Sequence, residues 1–394
     1  MEPIDFEHTT RLVFGAGTIE KLGTLAKQLG ASRALIVSDP GVVAAGHFER
    51  GAQAVRAAGL EMVSFHEVHE NPSTIDVAAG LAVAKNYKPD LLIGLGGGSS
   101  MDCAKGINFL YSCGGKMEDY WGVGKATANM LPMIAVPTTA GTGSEAQSFA
   151  LITHAETKKK MACGDRRAAC KIALLDPELT VTQPPRVTAL TGIDAISHAI
   201  ESYVCKKRNP LSACYSRESW QLLVDGFPTV VSDPKNLEAR GKVQLGAFFA
   251  GLAIETSMLG AAHALANPLT AQFGVVHGQA VGVMLPEVIR FNATLVNGHY
   301  DELWDDAKHT ALGQKCLAEN PAASSADLMA KLVRTLVDLA GLETQLQALG
   351  VTEASLDALA SDATAQWTGS FNPRALTVDD CRELYQRTLA KQAS

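Results

Sequence analysis

The chain has 394 residues, of which 47% are hydrophobic and 19% are charged, and this composition excludes a disordered or a fibrous protein. At about 150 residues per domain, the length predicts two or three domains. The formal net charge is −7, and no run of Lys or Arg exceeds three residues, as in Lys158–Lys160. The basic patch of a nucleic-acid-binding protein is therefore absent, and we expect no nucleic-acid partner.

The opening ten residues contain acidic side chains and no apolar run, which predicts no secretory signal. The eight cysteines form no Cys-x-x-Cys pair, so we expect free thiols in a reducing cytoplasm. The stretch from Thr256 to Pro286 carries no Asp, Glu, Lys or Arg, but polar residues and glycines interrupt it. It is predicted to be a buried helical segment rather than a membrane span.

In the first half of the chain, short apolar runs alternate with amphipathic stretches. The runs that we predict to be strands are Ala34–Val37, Met62–Phe65, Asp90–Leu95 and Met133–Val136. Helical stretches such as Ile19–Leu29 lie between them. Near-continuous apolar strands that alternate with helices are typical of a parallel sheet that is covered on both faces.

After the breaker Gln183-Pro184-Pro185-Arg186, strand signals fade and long helical patterns follow. One helix is predicted from about Asp327 to Ala340, with Ser325 as its N-cap and Gly341 as its stop. We therefore predict an α/β domain over residues 1–185 and an all-helical domain over residues 186–394.

Two strand-to-helix turns have the composition of phosphate-binding loops. Gly96-Gly97-Gly98-Ser99 follows a predicted strand and opens a helix, whose free N–H groups suit a phosphate. Asp102, in the first helical turn, could bind there or cap the helix. Pro137–Glu145 leaves the next strand and is rich in Thr, Ser and Gly. Both turns are at the carboxyl ends of strands, where α/β sheets bind ligands.

The standard dinucleotide fingerprint is missing. Gly15-Ala16-Gly17 begins like it, but position 20 is Glu where the third glycine would be, so we interpret this segment as a turn. Asp39 follows the strand Ala34–Val37. Such an acidic residue can accept hydrogen bonds from a ribose diol, or it can cap the turn at Pro40-Gly41.

Asp194 and His198 are four residues apart in a predicted helix, so both side chains lie on one face and can share a cation. His263 and His277 lie in the stretch without charged residues. Three imidazoles and one carboxylate suit zinc or ferrous iron. A lone histidine is more often a buried core residue, but the combination of these residues favours a metal site. Sequence spacing does not place His263 beside His198.

Together these segments resemble the iron-containing alcohol dehydrogenases. The motifs are Gly96–Ser99 with Asp102, Pro137–Glu145, Gly192–Glu201, His263–Ala266, His277-Gly278 and Asn372-Pro373-Arg374. The resemblance implies an α/β nucleotide-binding domain with a parallel sheet, then an all-α metal-binding domain, as in dehydroquinate synthase. It also implies a homodimer that transfers a hydride between NAD(H) and a small primary alcohol or diol, or its aldehyde.

The resemblance further implies site residues. One Fe²⁺ (or Zn²⁺) would be ligated by Asp194, His198, His263 and His277. The cofactor contacts would be Asp39, Asn71, Gly97, Gly98, Ser99, Asp102, Thr138, Thr139, Thr142, Phe149, Lys160 and Leu179. In the family, an aspartate at the Asp39 position accompanies NAD rather than NADP. The mostly apolar segments around Phe149, Ile254 and Trp367 favour short aliphatic alcohols or simple diols over charged substrates.

One position departs from the family pattern. The family usually has a second histidine four residues after the third metal ligand, often assigned to proton transfer, and here that residue is Asn267. Asn267 is thus the candidate catalytic position, although it cannot titrate as histidine does.

Two alternatives have weaker support. A lyase of the dehydroquinate synthase type needs several basic residues around an anionic substrate, and the segment between His263 and His277 has none. A non-catalytic nucleotide-binding relative would not need four intact ligand positions.

Overall fold

The computed structural model describes Glu7 and residues 9–389; most of the opening segment on which the secretory-signal prediction rests lies outside them. The chain divides into two compact units. One comprises residues up to Thr139 together with Gly143–Gln183, and the other comprises Ala140–Thr142 together with the chain from Pro184 onward. The segment Ala140–Thr142 thus belongs to the helical unit, although the chain on both sides of it belongs to the α/β unit.

The first unit is built on a six-stranded, all-parallel sheet of order β1-β9-β6-β4-β2-β3. Its strands are β1 (Arg11–Phe14), β2 (Arg33–Val37), β3 (Glu61–Phe65), β4 (Leu91–Gly96), β6 (Met133–Pro137) and β9 (Ile172–Leu175). Every residue of β4 and β6 is buried. Burial on both faces explains why their sequences are continuous apolar runs.

In the described part of this unit, five α-helices accompany the sheet: α1 (Leu22–Gln28), α2 (Pro40–Ala44), α3 (His47–Ala57), α4 (Thr74–Tyr87) and α5 (Gly98–Cys113). A second sheet contains three short strands, β5 (Gly122–Val123), β7 (Phe149–Thr153) and β8 (Lys160–Gly164), in the order β5-β8-β7. β7 and β8 form an antiparallel hairpin. All four predicted strands are present, with bounds that differ by one residue, and Gly15–Gly17 is a turn.

In the residues that the structure describes, the regular elements of the second unit are all helices. Its helices are α6 (Pro185–Val204), α7 (Pro210–Ser232), α8 (Leu237–Thr256), α9 (Ala261–Phe273), α10 (His277–Ala307, with non-helical torsion angles at Val296), α11 (Ala311–Glu319), α12 (Ser325–Leu339), α13 (Leu356–Thr364) and α14 (Val378–Leu389). From Thr188 to Val204 every residue of α6 except Thr191 is buried. A helix that is buried on all sides occupies the interior of its unit, and the polar side chains of α6 are therefore buried as well. The predicted α/β-plus-all-α architecture is thereby confirmed.

Two smaller predictions are also tested. The predicted helix at Asp327–Ala340 is α12, but its N-cap is Ser324 and not Ser325, because the Ser324 hydroxyl accepts the hydrogen bond from the N–H of Asp327. All eight cysteines are free thiols, as predicted.

The stretch without charged residues, from Thr256 to Pro286, forms mainly α9 and the first part of α10. Among the described residues, no single helix is long and apolar enough to cross a membrane. Of the helices in those residues, only α8 and α9 taken together are long and apolar enough, and the two helices are bent by 103° relative to each other.

Candidate functional site

The four predicted metal ligands all lie in the helical unit. Asp194 and His198 are one turn apart on α6, His263 is the third residue of α9, and His277 is the first residue of α10. Asp194, His198 and His263 are buried, and the side chain of His277 is one-third exposed.

Two glycines allow the helices that carry these side chains to pack closely. A Cβ at Gly278, the residue after His277, would lie 2.1 Å from the backbone oxygen of Leu190 on α6. A Cβ at Gly192 would lie 2.2 Å from the ring of Phe227 on α7. Any larger residue at either position would force the helices apart. The small residues of these motifs therefore serve to hold α6 against its neighbours.

Three imidazoles converge on one carboxylate oxygen. The Nε2 atoms of His198, His263 and His277 lie 3.5, 3.6 and 3.8 Å from Oδ1 of Asp194. The ligand atoms of Asp194, His263 and His277 all lie within 4.8 Å of one another. In a tetrahedral site with bonds of about 2.0–2.2 Å, ligand atoms are about 3.3–3.6 Å apart. The three distances from Oδ1 of Asp194 are close to that range and suit a single first-row metal ion, but His198 does not belong to the group whose ligand atoms all lie within 4.8 Å.

The electrostatics of this cluster also fit a metal ion. Oδ1 of Asp194 and Nε2 of His263 are buried and have no hydrogen-bond partner in the structure. Burial opposes ionisation of Asp194, but the surrounding imidazoles outweigh it and lower the pKa of its carboxyl below the usual range. Burial lowers the pKa of His198 despite the nearby carboxylate, which favours the neutral imidazole that ligates metals. The cluster is therefore an ionised carboxylate with the imidazole nitrogens of three histidines directed at it.

His263 responds in the opposite way to its surroundings. Burial by itself lowers the pKa of this imidazole, but the carboxylates of Asp194 and Glu201 outweigh that effect and raise its pKa to about 9. A cation placed between Asp194 and the imidazoles would satisfy the same negative charge that now favours a proton. The residues present therefore suit Fe²⁺ or Zn²⁺.

The candidate nucleotide site lies in the other unit, at the carboxyl ends of β2, β4 and β6. These strands are neighbours in the sheet, and the chain runs from β2 outward to β3 before it returns to β4 on the other side of β2. The turns after β2 and β4 therefore flank a topological switch point, the place where open α/β sheets bind ligands.

Several predicted cofactor residues meet at this switch point. The N-cap of α5 is Gly97, and a Cβ there would lie 3.3 Å from the methyl group of Thr139 in the turn after β6. Thr138 donates its backbone N–H to the carbonyl of Gly96. The first residues of α5, Gly98 and Ser99, therefore present N–H groups at a helix N-terminus beside two threonines, an arrangement that suits a pyrophosphate.

Asn71, Ser99 and Lys160 form a second group of predicted contacts. The backbone N–H of Asn71 donates to the Ser99 hydroxyl over 3.2 Å, and the Lys160 ammonium donates to the Asn71 side-chain oxygen over 3.3 Å. Asn71 itself has a φ of 53°, in the left-handed region. An exposed ammonium thus stands near the turn that holds Ser99.

Asp39 does cap a helix, which was one of its two possible roles. One carboxylate oxygen accepts from the N–H of Val42 at the start of α2, over 3.0 Å, and the other accepts from the Ser100 hydroxyl over 2.9 Å. These bonds fix the carboxylate between the turns after β2 and β4. A carboxylate has about four acceptor sites, so both oxygens can still accept from a ribose.

Asp102 does not cap α5, because the N-cap has no side-chain hydrogen bond and Asp102 is buried. It accepts a hydrogen bond from the Ser144 hydroxyl over 2.6 Å, and burial raises the pKa of its carboxyl. One turn later, the three N–H groups of the fully buried Lys105 ammonium are shared among four oxygens at 2.7–2.9 Å: the Ser144 carbonyl and hydroxyl and the carbonyls of Gln147 and Phe149. Sequence reasoning missed this clamp, although a lysine inside the apolar run of α5 is a signal for it.

The other predicted residues are more scattered. Leu179 is buried in a hydrophobic core of the α/β unit, where it packs with the apolar residues of β1, β2, β4 and α3. The ring of Phe149 packs against Gly164 of the hairpin partner strand. Thr142 belongs to the helical unit. A contact of these three residues with a cofactor stays a prediction.

Asn267 lies on α9, one turn after His263, and Pro268 does not end the helix there. Its amide donates to the side-chain oxygen of Gln366 over 3.0 Å. Gln366 was not predicted from the sequence, and neither was Glu201, which contacts His263 over 2.5 Å.

Comparison with known proteins agrees with this geometry. Residues 9–177 match the family model described as iron-containing alcohol dehydrogenase, and residues 188–389 match that of the C-terminal part of the Fe-containing alcohol dehydrogenase family. The NAD-dependent methanol dehydrogenase of Bacillus methanolicus is 32% identical over 96% of this chain and 97% of its own length. The choline dehydrogenase of Bacillus subtilis is 34% identical over 97% and 94%.

A solved structure described as 1,3-propanediol oxidoreductase superposes with a TM-score of 0.92 at 28% identity, over 98% of this chain and all of the other. The two family models together cover nearly the whole chain, and the ligand cluster lies within the second of them. The chain therefore belongs to the iron-containing alcohol dehydrogenase family.

Proposed function

We propose that this protein is an NAD-dependent dehydrogenase that interconverts small primary alcohols or diols and their aldehydes. The observation that carries the proposal is the convergence of three imidazole nitrogens on Asp194, 3.5–3.8 Å from its Oδ1, in a chain of this family. The similar proteins named above are described as acting on methanol, choline and 1,3-propanediol. All three are primary alcohols with short chains, and the two uncharged ones, methanol and 1,3-propanediol, support the proposed substrate class.

We infer that the α/β domain, residues 1–185, holds NAD and that the helical domain, residues 186–394, holds the metal. The turns at Gly97–Ser99 and Thr138–Thr139 would hold the pyrophosphate, and Asp39 would accept from the ribose diol. Lys160 would neutralise part of the phosphate charge. Support for this assignment comes from their common position at the carboxyl ends of β2, β4 and β6.

In the helical domain, Asp194, His198, His263 and His277 would hold Fe²⁺, or Zn²⁺ in its place. When bound, such an ion acts as a Lewis acid toward an alcohol or carbonyl oxygen. Asp194 supplies the negative charge of the ligand set. Burial of the carboxylate and of two of the imidazoles keeps bulk water away from the ligand atoms, which strengthens their electrostatic interactions.

The test is an NADH-formation assay of the metal-loaded protein with a panel of alcohols, and the reverse assay with aldehydes. We expect turnover that depends on metal, with the highest kcat/KM among short primary alcohols or diols. A lyase of the dehydroquinate synthase type, which the family matches do not favour, would leave the nicotinamide cofactor unchanged at the end of the reaction. Absence of NADH formation across the panel would contradict the proposal.

We also propose a homodimer in a reducing, cytoplasmic compartment. The eight unpaired cysteines support the compartment. The expectation of a homodimer comes from the family resemblance. Sedimentation of the purified protein at several concentrations would test the oligomeric state.

Asn267 is proposed to replace the usual proton-transferring histidine without taking over its role. Its amide is bonded to Gln366, and an amide has no pKa near neutrality. We expect Asn267→Ala to lower kcat/KM by well under the ~10²–10⁴-fold that loss of a general acid or base costs. Asn267→His should add an inflection to the pH profile at about pH 6–7.

The measurement is a pH–rate series on wild type and both variants with metal at saturation. Gln366→Leu is the control, because it removes the hydrogen-bond partner of Asn267 and leaves the amide in place. A thousandfold loss in Asn267→Ala with metal still bound would mean that Asn267 is essential to the chemistry.

A further inference from the structure

Glu201 occupies the same helix as two of the proposed metal ligands. It follows His198 by three residues and Asp194 by seven on α6, so the three side chains lie along one face. Its side chain is only 3% exposed, and its two oxygens have different partners. Oε2 lies 2.5 Å from Nδ1 of His263, and Oε1 accepts from the backbone N–H of Ala262 over 2.6 Å.

The start of α9 is held from outside the helix. Its N-cap, Gly260, has no side chain to offer, and a Cβ there would lie 3.1 Å from Oε1 of Glu201. The backbone N–H of Ala261 donates to the side-chain oxygen of Asn372 over 3.1 Å. Asn372 in turn forms two amide hydrogen bonds with Asn292. Glu201 and Asn372 thus bond successive N–H groups of the turn that carries His263.

The contact with Nδ1 determines which nitrogen of His263 carries the proton. Where the carboxylate is ionised, it only accepts hydrogen bonds, and Nδ1 is then the donor. In the neutral ring, the lone pair is then on Nε2, which lies 3.6 Å from Oδ1 of Asp194 and has no hydrogen-bond partner in the structure. A metal needs that lone pair in order to bind an imidazole.

We propose that Glu201 is a positioning residue of the metal centre: it orients the imidazole of His263 and holds its proton on Nδ1, so that Nε2 can ligate the ion. This inference rests on the proposed function, which assigns His263 as a ligand. It distinguishes Glu201 from a simple helix cap. A cap needs one acceptor for the N–H of Ala262, whereas positioning needs the second oxygen as well.

Glu201→Gln separates the two roles. The amide oxygen can still accept from Ala262, but the amide NH₂ then faces Nδ1 of His263 and requires a lone pair there. The ring proton would move to Nε2 and block ligation. We expect Glu201→Gln to keep its thermal stability close to that of wild type and to lose about 10–100-fold in metal affinity, the range for outer partners of metal-bound histidines.

The experiment competes the metal-loaded proteins against a chelator of known affinity, once with Zn²⁺ and once, without oxygen, with Fe²⁺. Glu287→Gln is the matched control. Glu287 is another buried glutamate of the helical unit, but it bridges Arg290 and Arg334. We expect Glu287→Gln to bind each metal within twofold of wild type.

The outcomes are distinguishable. Unchanged metal affinity in Glu201→Gln, or an equal loss in Glu287→Gln, would overturn the positioning role. Wild-type protein that loads neither metal would overturn the proposed metal site and this inference with it. If Glu201→Gln does not fold, Glu201→Asp decides, because it keeps the charge but shortens the reach to Nδ1; we expect weaker metal binding, and wild-type affinity would overturn the proposal.

Discussion

His198→Ala should produce a folded protein that has lost most of its affinity for divalent metal and most of its kcat. The variant removes one nitrogen donor, 3.5 Å from Oδ1 of Asp194, from a set of four. A bound metal contributes several kcal/mol of transition-state stabilisation, so kcat should fall by about 10²–10⁴-fold. Alanine is a good helix former, so α6 should remain intact.

The measurement pairs metal analysis with steady-state rates on wild type and His198→Ala. His299→Ala is the matched control, because His299 is a histidine of the same unit that contacts the ring of Tyr203 rather than the ligand cluster. We expect this control to keep its metal and its rate. Near-normal activity in His198→Ala with no metal bound would show that the ligand assignment is wrong.

Asp39→Gly should shift the cofactor preference from NAD toward NADP by roughly tenfold or more. The carboxylate lies between the turns after β2 and β4, where it would repel a 2′-phosphate and accept from a ribose diol. The repulsion of the 2′-phosphate and the hydrogen bond to the diol each contribute on the order of 1–3 kcal/mol to the preference for NAD, and the variant loses both. Glycine is a tolerable N-cap, so the change should cost α2 only a few tenths of a kcal/mol.

The ratio of kcat/KM values for NAD and NADP is the quantity to measure. Asp39→Asn refines the test, because its amide oxygen can still accept from Val42 and its NH₂ can donate to the Ser100 hydroxyl, while the charge is removed. We expect its preference to fall between those of wild type and Asp39→Gly. An unchanged ratio in Asp39→Gly would remove Asp39 from the cofactor site.

The sequence predicted secondary structure best where a single physical requirement, such as burial on both faces, determines which residue types can occur. Strands buried on both faces must be apolar throughout, so β4 and β6 could be predicted closely. The β7–β8 hairpin was not predicted. Its strands have partly exposed faces and alternate in burial, and they are too short for that alternation to stand out. The N-cap of α12 was misplaced by one residue because Ser324 and Ser325 are adjacent and only backbone geometry tells them apart.

In the candidate site, the ligand residues were predicted, but their partners were not. The spacing of Asp194 and His198 is a local property of one helix, whereas the approach of His263 and His277 depends on how three helices pack. Glu201 continues the same helical face two turns from Asp194, and that periodicity could have indicated it. Asn372 and Gln366 lie about 100 residues from the groups they contact, and no local pattern reveals such a contact.

The Lys105 clamp has a consequence for how the segment from Ser144 to Phe149 moves. An ammonium that has lost its water must keep all of its acceptors, because each bond that opens leaves part of a buried charge unsolvated. The segment therefore cannot loosen one residue at a time. We expect it to open as a single cooperative event, with the amide protons around Phe149 exchanging at one common, slow rate, whereas gradual fraying would give a range of rates.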